Sequence, residues 1–594
     1  MPLASRSRTE TGRCGSMSCM RFFLVPRGGC SSPWVCKLQC LYCGTGPSHR
    51  QEDPQSTERV ETQAGPPAPE LPSPSEEASA RPAPTLSWTG LDWALLGGVT
   101  ALGAVLRFVR LSIPRELIFD EVYYARDACL YLGHNQAFCG TPTVTEQSYV
   151  HPPLGKWIIA AGIRLFGYNT FGWRFMAAVF GTALVALAFV VGWRLLGRWA
   201  GAATGLLVAT DFLLIVQSRV AMLDIFLAFF VVLGFLFVVV EHERVLRLRG
   251  AGGGRLDLRW RLATGAAFGA AVAVKWSGGY ALAGAGLLVL SWTVGGALAL
   301  RRAELRAGAP PRAPSPLLEL NATLLSIGLP AVGVYLASYG VWFYDHRFSL
   351  PQFWTLHKSM LEYHLHLTAH HSYASRAWTW PLVIRPVAYY FHYFQGGSKA
   401  AHVLAFGNPA TWWPALGAGA WLLYRAVRRR HGPETVVMTA WLSQYLPWTT
   451  FSRPQFFFYM APIVPFMMMA LAGSLGDLTR GFRTRTPLGW AYVFFMAVLA
   501  TALVLWLYNP SGHVLFTLAG DRRIVEVVVL PFLLLAVAAL LGCSGRAAAV
   551  RRALVLAYLV YAAGLVLWYL YPVIGAVRIP YPQWLARMLF RTWI

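Results

Sequence analysis

The residue types able to do chemistry fall in a few short stretches. Asp120 and Glu121 stand side by side in IFDEVYYARDACLYL, and His151 and Lys156 flank two prolines in HPPLGK. Arg174 follows in WRFMAAVFG, Arg219 and Asp224 share QSRVAMLDIF, Lys275 precedes Trp276, and Arg453 lies in FSRPQFFFYM. A carboxylate can take a proton from a hydroxyl as a new bond forms. Neighbouring residues on a helix do not share a face, so only one of Asp120 and Glu121 should point at a substrate. The plainer alternative is a pair of acids favoured at a helix N-terminus by its dipole. Pro152 and Pro153 let a helix begin near Leu154, and free N–H groups flanked by His151 and Lys156 would suit an anion. Arg174 adds to that site or snorkels as an interfacial anchor, and Lys275 carries the same ambiguity. Arg219 and Asp224 serve a substrate or simply pair with each other. Ser375, Trp378 and Trp380 in HSYASRAWTWP form an aromatic segment suited to a sugar face or to the headgroup level.

These stretches are held by elements that the composition identifies. Of 594 residues, 56% are hydrophobic and only 13% charged, which is a membrane composition. A crossing helix needs about 20 apolar residues, with about 17 enough in some cases. That length predicts spans near 91–110, 171–196, 199–216, 222–241, 260–276, 278–299, 317–343, 410–425, 434–450, 456–475, 487–508, 525–542 and 552–571. The expected fold is an all-α polytopic protein with about 11–13 transmembrane helices. The formal charge of +24 does not point to nucleic acid, because the arginines cluster in short connectors between apolar runs. With the N-terminus inside, the connectors 194–198, 244–261, 301–312, 425–430, 480–485 and 546–552 all fall on the cytoplasmic face. Loops 111–170 and 344–409 are then extracytoplasmic, and so are the candidate reactive groups.

Residues 1–87 are expected to be a disordered leader or an upstream mis-assigned start. Pro, Ser and Glu dominate their second half, and 88–594 form the membrane domain. No cleavable signal peptide is evident, and the run from Leu91 to Val109 should be an uncleaved first span. Cys36, Cys40 and Cys43 have no convincing partners for a zinc site, whereas Cys129 and Cys139 share an exported loop where a disulfide is possible. His366 and His370 have i,i+4 spacing but no HExxH around them, so a surface helix is favoured over a metal site. No P-loop, dinucleotide fingerprint or Asp-x-Asp pair occurs, so no metal and no cofactor are expected, and the donor should be lipid-borne.

FDEVYYA, HPPLGKW, WRFMAAVFG, SRVAMLD, VKWSG, HSYASRAWTWP, GNPATWW and RPQFFFYMAPIVPF occur in this order from about residue 90 onward. In that series the chain resembles the protein O-mannosyltransferase family, a GT-C type of membrane glycosyltransferase. The resemblance implies inverting transfer of mannose from polyprenyl-phosphate-mannose to Ser or Thr of exported polypeptides, at or near the secretion translocon. It assigns Asp120 as the base, with Glu121 holding the loop or orienting the acceptor. Arg174, His151 and Lys156 become candidate partners of the leaving phosphate, followed by Lys275 and Arg453. Arg219, Asp224, Trp276, Ser375 and Trp380 are left as structural or substrate-positioning residues. The 344–409 loop is too short for the β-trefoil of eukaryotic members, so the chain is similar to the actinobacterial branch. Two other readings remain: the same chemistry on a glycolipid acceptor, and a polytopic transporter.

Overall fold

A computed structural model describes residues 87–140, 148–250, 257–308, 310, 314–368, 371–429, 432–481, 527, 529–543, 547–567, 571–589 and 593–594. The first six cysteines, His370 and the expected span at 487–508 lie outside the described residues.

The chain runs α1 (Gly90–Phe108), α2 (Glu121–Tyr131), α3 (Gln136–Cys139), α4 (Leu154–Phe166), α5 (Thr170–Leu196), α6 (Arg198–Ala209) and α7 (Phe212–Gln217). Then come α8 (Asp224–Gly250), α9 (Leu258–Val274), α10 (Gly278–Arg306), α11 (Pro316–Ser338), α12 (Gly340–Asp345) and α13 (Leu350–His366). A hairpin of β1 (Val387–Phe394) and β2 (Lys399–Ala405) precedes α14 (Pro409–Arg429), α15 (Pro433–Tyr445) and α16 (Val464–Arg480). The chain closes with α17 (Leu530–Cys543), α18 (Ala548–Leu565), α19 (Tyr571–Ile574), β3 (Ile579–Pro580) and α20 (Tyr581–Leu585). Among the described residues six helices are long and apolar enough to cross a membrane: α1, α8 as far as Arg247, and all of α5, α10, α11 and α18.

Two expectations are corrected in detail. The span expected at 199–216 is broken at Thr210–Asp211, where the Asp211 side chain accepts from Leu214 N at 3.0 Å and starts α7 anew. The all-α description omits a three-stranded antiparallel sheet of order β1-β2-β3. Strand β3 pairs Ile579 with Ala400 and so returns the C-terminal tail to the hairpin of the large loop.

Close helix packing sets the bundle. In GAAFG of α9, Gly265 and Gly269 lie directly on the backbone carbonyls of Ile327 and Ala331 in α11, leaving no room for a Cβ. Small residues four apart let helices approach this closely where lipid supplies no hydrophobic drive between them. Polar ties then collect at two opposite ends. At one end Arg198 pairs with Asp92 at 2.7 Å, Arg194 with Glu243 at 2.6 Å, and Arg261 with Glu241 at 3.1 Å. Arg425 bridges Glu434 and Asp477 at the same helix ends. The other end carries α2, the start of α8, the end of α9, and the hairpin.

We expect Gly269→Leu to lower the thermal midpoint of the detergent-solubilised protein, since overpacking costs about 1–3 kcal/mol. Gly286→Leu, at a position with nothing within 4 Å of an added Cβ, should leave it unchanged. Equal midpoints for the two variants would contradict the close α9–α11 contact.

Candidate active site

Helix α2 begins immediately after Asp120, and Glu121 is its first residue. Glu121 is fully buried and receives Arg174 side-on: Nε donates to Oε1 at 2.7 Å and Nη2 to Oε2 at 2.8 Å. The backbone N–H groups of Ile118 and Ala221 also donate to it, at 3.0 and 2.9 Å. Arg174 spends its remaining donors on the carbonyls of Leu111, Pro114 and Glu116. Each partner is therefore saturated. Of the roles expected for Glu121, holding the loop agrees with these contacts, whereas a catalytic or acceptor-orienting role is corrected by its burial, and the expected phosphate role of Arg174 is corrected because it has no donor left. Glu121 and Arg174 instead clamp the first loop to α5.

Lys156 departs from expectation in the same way. It is 1% exposed, sits 2.8 Å from Asp127 and also donates to the Ser148 carbonyl. It anchors α2 to α4 and is not a phosphate ligand. The Cys129–Cys139 disulfide closes the same loop below it. Arg219 does not pair with Asp224. Its guanidinium donates to the carbonyls of Leu106, Arg107, Val109 and Arg110 and thereby closes the C-terminal end of α1.

Asp224 pairs with Lys275 at 2.7 Å, with both side chains nearly out of solvent. This pair opens onto a cavity of about 470 Å³, also lined by His151, Trp276, His364, Trp448, Arg453 and Tyr459. Lys275 Nζ lies 5.7 Å from the ring centres of both Phe458 and Tyr459. Arg453 sits 5.7 Å from the Trp448 ring centre and donates to His364 Nδ1 at 3.3 Å. Among the described residues no carboxylate pairs with Arg453, so its charge faces the cavity uncompensated.

Asp120 is electrostatically coupled to both Lys275 and Asp224 and receives a hydrogen bond from Tyr124. Burial raises its carboxyl to about 6, against the opposing pull of Lys275 and with a smaller upward push from Asp224. His151 lies in the cavity, but burial, reinforced by the surrounding cations, pushes its pKa well below the usual imidazole range. It is thus a neutral hydrogen-bonding group near pH 7 rather than the expected cation. His364 behaves likewise. Burial and Arg453 lower it to about 4, and its Nε2 lies 3.0 Å from the Val150 carbonyl. With Nε2–H donating, Nδ1 is free to accept from Arg453.

The sequence reading missed His364, Trp448 and Tyr459. His364 stands two residues before His366, and nothing in its spacing distinguishes it until the fold brings it to Arg453. Tyr459 lies inside RPQFFFYM, from which only Arg453 was taken. Trp276 lines the cavity and donates to Tyr335 Oη at 2.9 Å. Ser375 and Trp380 stand behind the cavity wall. Trp380 Nε1 donates to Ser375 Oγ at 3.0 Å, and its buried ring packs edge-on against Trp448 and Tyr459.

Comparison with known proteins places this geometry among relatives. The family described as dolichyl-phosphate-mannose-protein mannosyltransferase matches residues 98–295. The C-terminal four-transmembrane region of protein O-mannosyltransferase matches 349–593. A polyprenol-phosphate-mannose–protein mannosyltransferase of Mycolicibacterium smegmatis is 32% identical over 70% of this chain and 88% of its own length. One from Corynebacterium glutamicum is 30% identical over 68% of this chain and 86% of its own length. The protein O-mannosyltransferase complex of S. cerevisiae, solved with its sugar donor, superposes with a TM-score of 0.54 at 14% identity. That likeness covers 85% of this chain and 92% of the yeast chain and shows a shared GT-C fold.

If Asp120 acts as a base, transfer should rise with pH through a single limb near 6 and then level off, because only the anion accepts a proton. Lys275→Met removes the cation that lowers Asp120 and leaves Asp224 unneutralised, so the limb should move to higher pH. A pH–rate profile measured on membranes checks this, and a limb that stays in place would separate Lys275 from Asp120.

Proposed function

Because the chain belongs to the dolichyl-phosphate-mannose–protein mannosyltransferase family, we propose that it transfers mannose from polyprenyl-phosphate-mannose to Ser or Thr hydroxyls of exported polypeptides. It is a multi-pass membrane glycosyltransferase. The observation that carries the residue assignment is the shared cavity at one end of the bundle. An uncompensated Arg453 and the Lys275–Asp224 pair line it, and Asp120 is coupled to that pair.

In this reading the hydroxyl oxygen forms a bond to C1 of mannose while the bond from C1 to the phosphate oxygen breaks. The electron pair leaves with the lipid phosphate, and the hydroxyl proton passes to Asp120. Arg453 meets the charge that grows on the phosphate, with Lys275 second, as fixed cations already in place when that charge develops. His151 contributes a hydrogen bond without a charge. Tyr459 and Trp448 offer ring faces of the kind that pack on a sugar. No metal or cofactor enters these steps, since base, cations and donor supply each requirement.

The reaction is proposed for the extracytoplasmic face. Two observations support that side. The arginine-rich connectors lie at the opposite end of the bundle. The Cys129–Cys139 disulfide belongs in an oxidising compartment. Acceptors would be met there as they emerge, and association with the secretion translocon is part of the same proposal. A glycolipid acceptor is the second reading, because the same donor chemistry would serve it. Transport is disfavoured by the gathering of charges at the two ends of the bundle.

Asp120→Asn should cut mannose transfer to a Thr peptide by about 100- to 10,000-fold while leaving expression intact. Arg453→Ala should raise the KM for polyprenyl-phosphate-mannose. Arg174→Ala should instead lower the folded yield, because it strands a buried carboxylate at a cost of about 3–5 kcal/mol. A fully active Asp120→Asn enzyme removes Asp120 from the chemistry.

Sidedness has its own test. In intact cells a membrane-impermeant maleimide should label a cysteine placed at the exposed His134 of the same loop (His134→Cys), over the wild-type background. Labelling that requires cell lysis would put the site on the cytoplasmic face.

A further inference from the structure

The lining of the cavity of about 470 Å³ is of two kinds. Arg453, the Lys275–Asp224 pair and the two histidines bring charge or imidazole nitrogen. Leu227, Tyr280 and Gln444 are uncharged and come from the end turns of α8, α10 and α15. Tyr280 packs edge-on against Trp448 at 5.8 Å, and among the described residues its hydroxyl makes no hydrogen bond. Gln444 is 3% exposed, and a polar side chain so deeply placed needs partners.

Only half of the Gln444 amide has one. Its Nε2 donates to the Ala440 carbonyl at 2.8 Å, one turn back along α15. That bond fixes which end of the amide is which, because a carbonyl oxygen accepts and never donates. Oε1 is therefore the free end, and among the described residues no group donates to it. Gln217 and Gln455 also leave Oε1 without a donor, but those oxygens are enclosed by protein. Of the three glutamines only Gln444 lines the cavity. Its oxygen is an acceptor held in place for a guest, and leaving it unpaired in a filled cavity is costly. An amide oxygen repels the oxygens of a phosphate and suits an O–H.

We propose that Gln444 Oε1 accepts a hydrogen bond from one hydroxyl of the donor sugar, which makes Gln444 a specificity-determining residue for the transferred group. The proposal rests on the mannosyl-transfer reading above and deepens it: the cations meet the phosphate, and the uncharged amide reads the sugar. Tyr280 offers a second hydroxyl for the same ring. Selection then comes from loss. A sugar with hydrogen in place of that hydroxyl leaves the amide oxygen buried and unpaired, which a site built for hydrogen bonding rejects strongly.

The test uses the full-length enzyme in membranes, a Thr peptide, polyprenyl-phosphate-mannose and the donors carrying 2-, 3-, 4- or 6-deoxymannose. Gln444→Leu should lower kcat/KM about 10- to 100-fold with mannose and with every deoxy donor except one. With that one, which lacks the hydroxyl that Gln444 reads, the variant should lose nothing against wild type. A loss of the same size with all donors marks a structural role and overturns the proposal, and so does no loss with any of them. Either result leaves the transfer reading standing. Gln444→Met, closer to glutamine in length, repeats the comparison should the leucine variant fold poorly, with the thermal midpoint of each variant as the check on folding. A wild-type enzyme that transfers from none of these donors to the peptide removes both this inference and the function beneath it.

Discussion

The geometry at the end of the bundle that carries α2 depends on one buried ion pair. Glu121 and Arg174 bind side-on, and each uses its remaining capacity on main-chain groups of the first loop and of the chain before α8. Breaking such a pair from one side is costly because the survivor is a buried, unpaired charge. The clamp does more than hold the loop. Successive residues entering a helix point in different directions, so fixing Glu121 against α5 directs Asp120 the other way, toward Lys275 and Asp224. In the proposed mechanism the carboxylate that takes the proton is aimed by its neighbour, and the two acids have unrelated tasks despite their adjacency.

Charge balance supports the role of base proposed for Asp120. Nearby cations ordinarily keep an aspartate acidic and so a weak proton acceptor. Here Lys275 is already matched by Asp224 at 2.7 Å, which leaves its pull on Asp120 smaller than the opposing effect of burial. Among the described residues no carboxylate pairs with Arg453, which lies beside His364. The two histidines of the cavity stay neutral, because the cations around them and their burial both oppose protonation. In the proposed mechanism one positive charge is thus left for the leaving group, while the base keeps a proton affinity suited to its work.

Much of this arrangement was legible in the chain. Apolar length located the six described helices able to cross a membrane, and the arginines of the connectors among the described residues gather at one end of them, because both signals are local. The ordered motifs identified the family and put Asp120, Lys275 and Arg453 among the candidates. What stayed hidden was partnership. An arginine at a helix mouth reads the same whether it awaits a phosphate or is saturated by a glutamate 53 residues earlier. Lys156 is indistinguishable in sequence from a free cation until Asp127 is brought to it by the fold of the loop. The break at Thr210–Asp211 was concealed for a related reason. An apolar run containing one aspartate is compatible with one helix or two, and only the N-cap hydrogen bond to Leu214 decides between them.

The hairpin of the large loop escaped the sequence reading because its residues carry two signals at once. YYFHYF in β1 looks like an aromatic interface segment, yet its alternation sets Phe391 and Tyr393 against Trp584 and Tyr581 while Tyr390, His392 and Phe394 face outward. Strand β3 supplies the pairing that stabilises β2, and it comes from the far end of the chain, beyond the reach of any local pattern. With β3 on the inner side, β1 is left as the free edge. Its neighbour across the open space is the segment that Arg174 holds through the carbonyls of Pro114 and Glu116. The clamp that sets the direction of Asp120 therefore also holds one wall of the space beside β1, so both follow from the same buried pair.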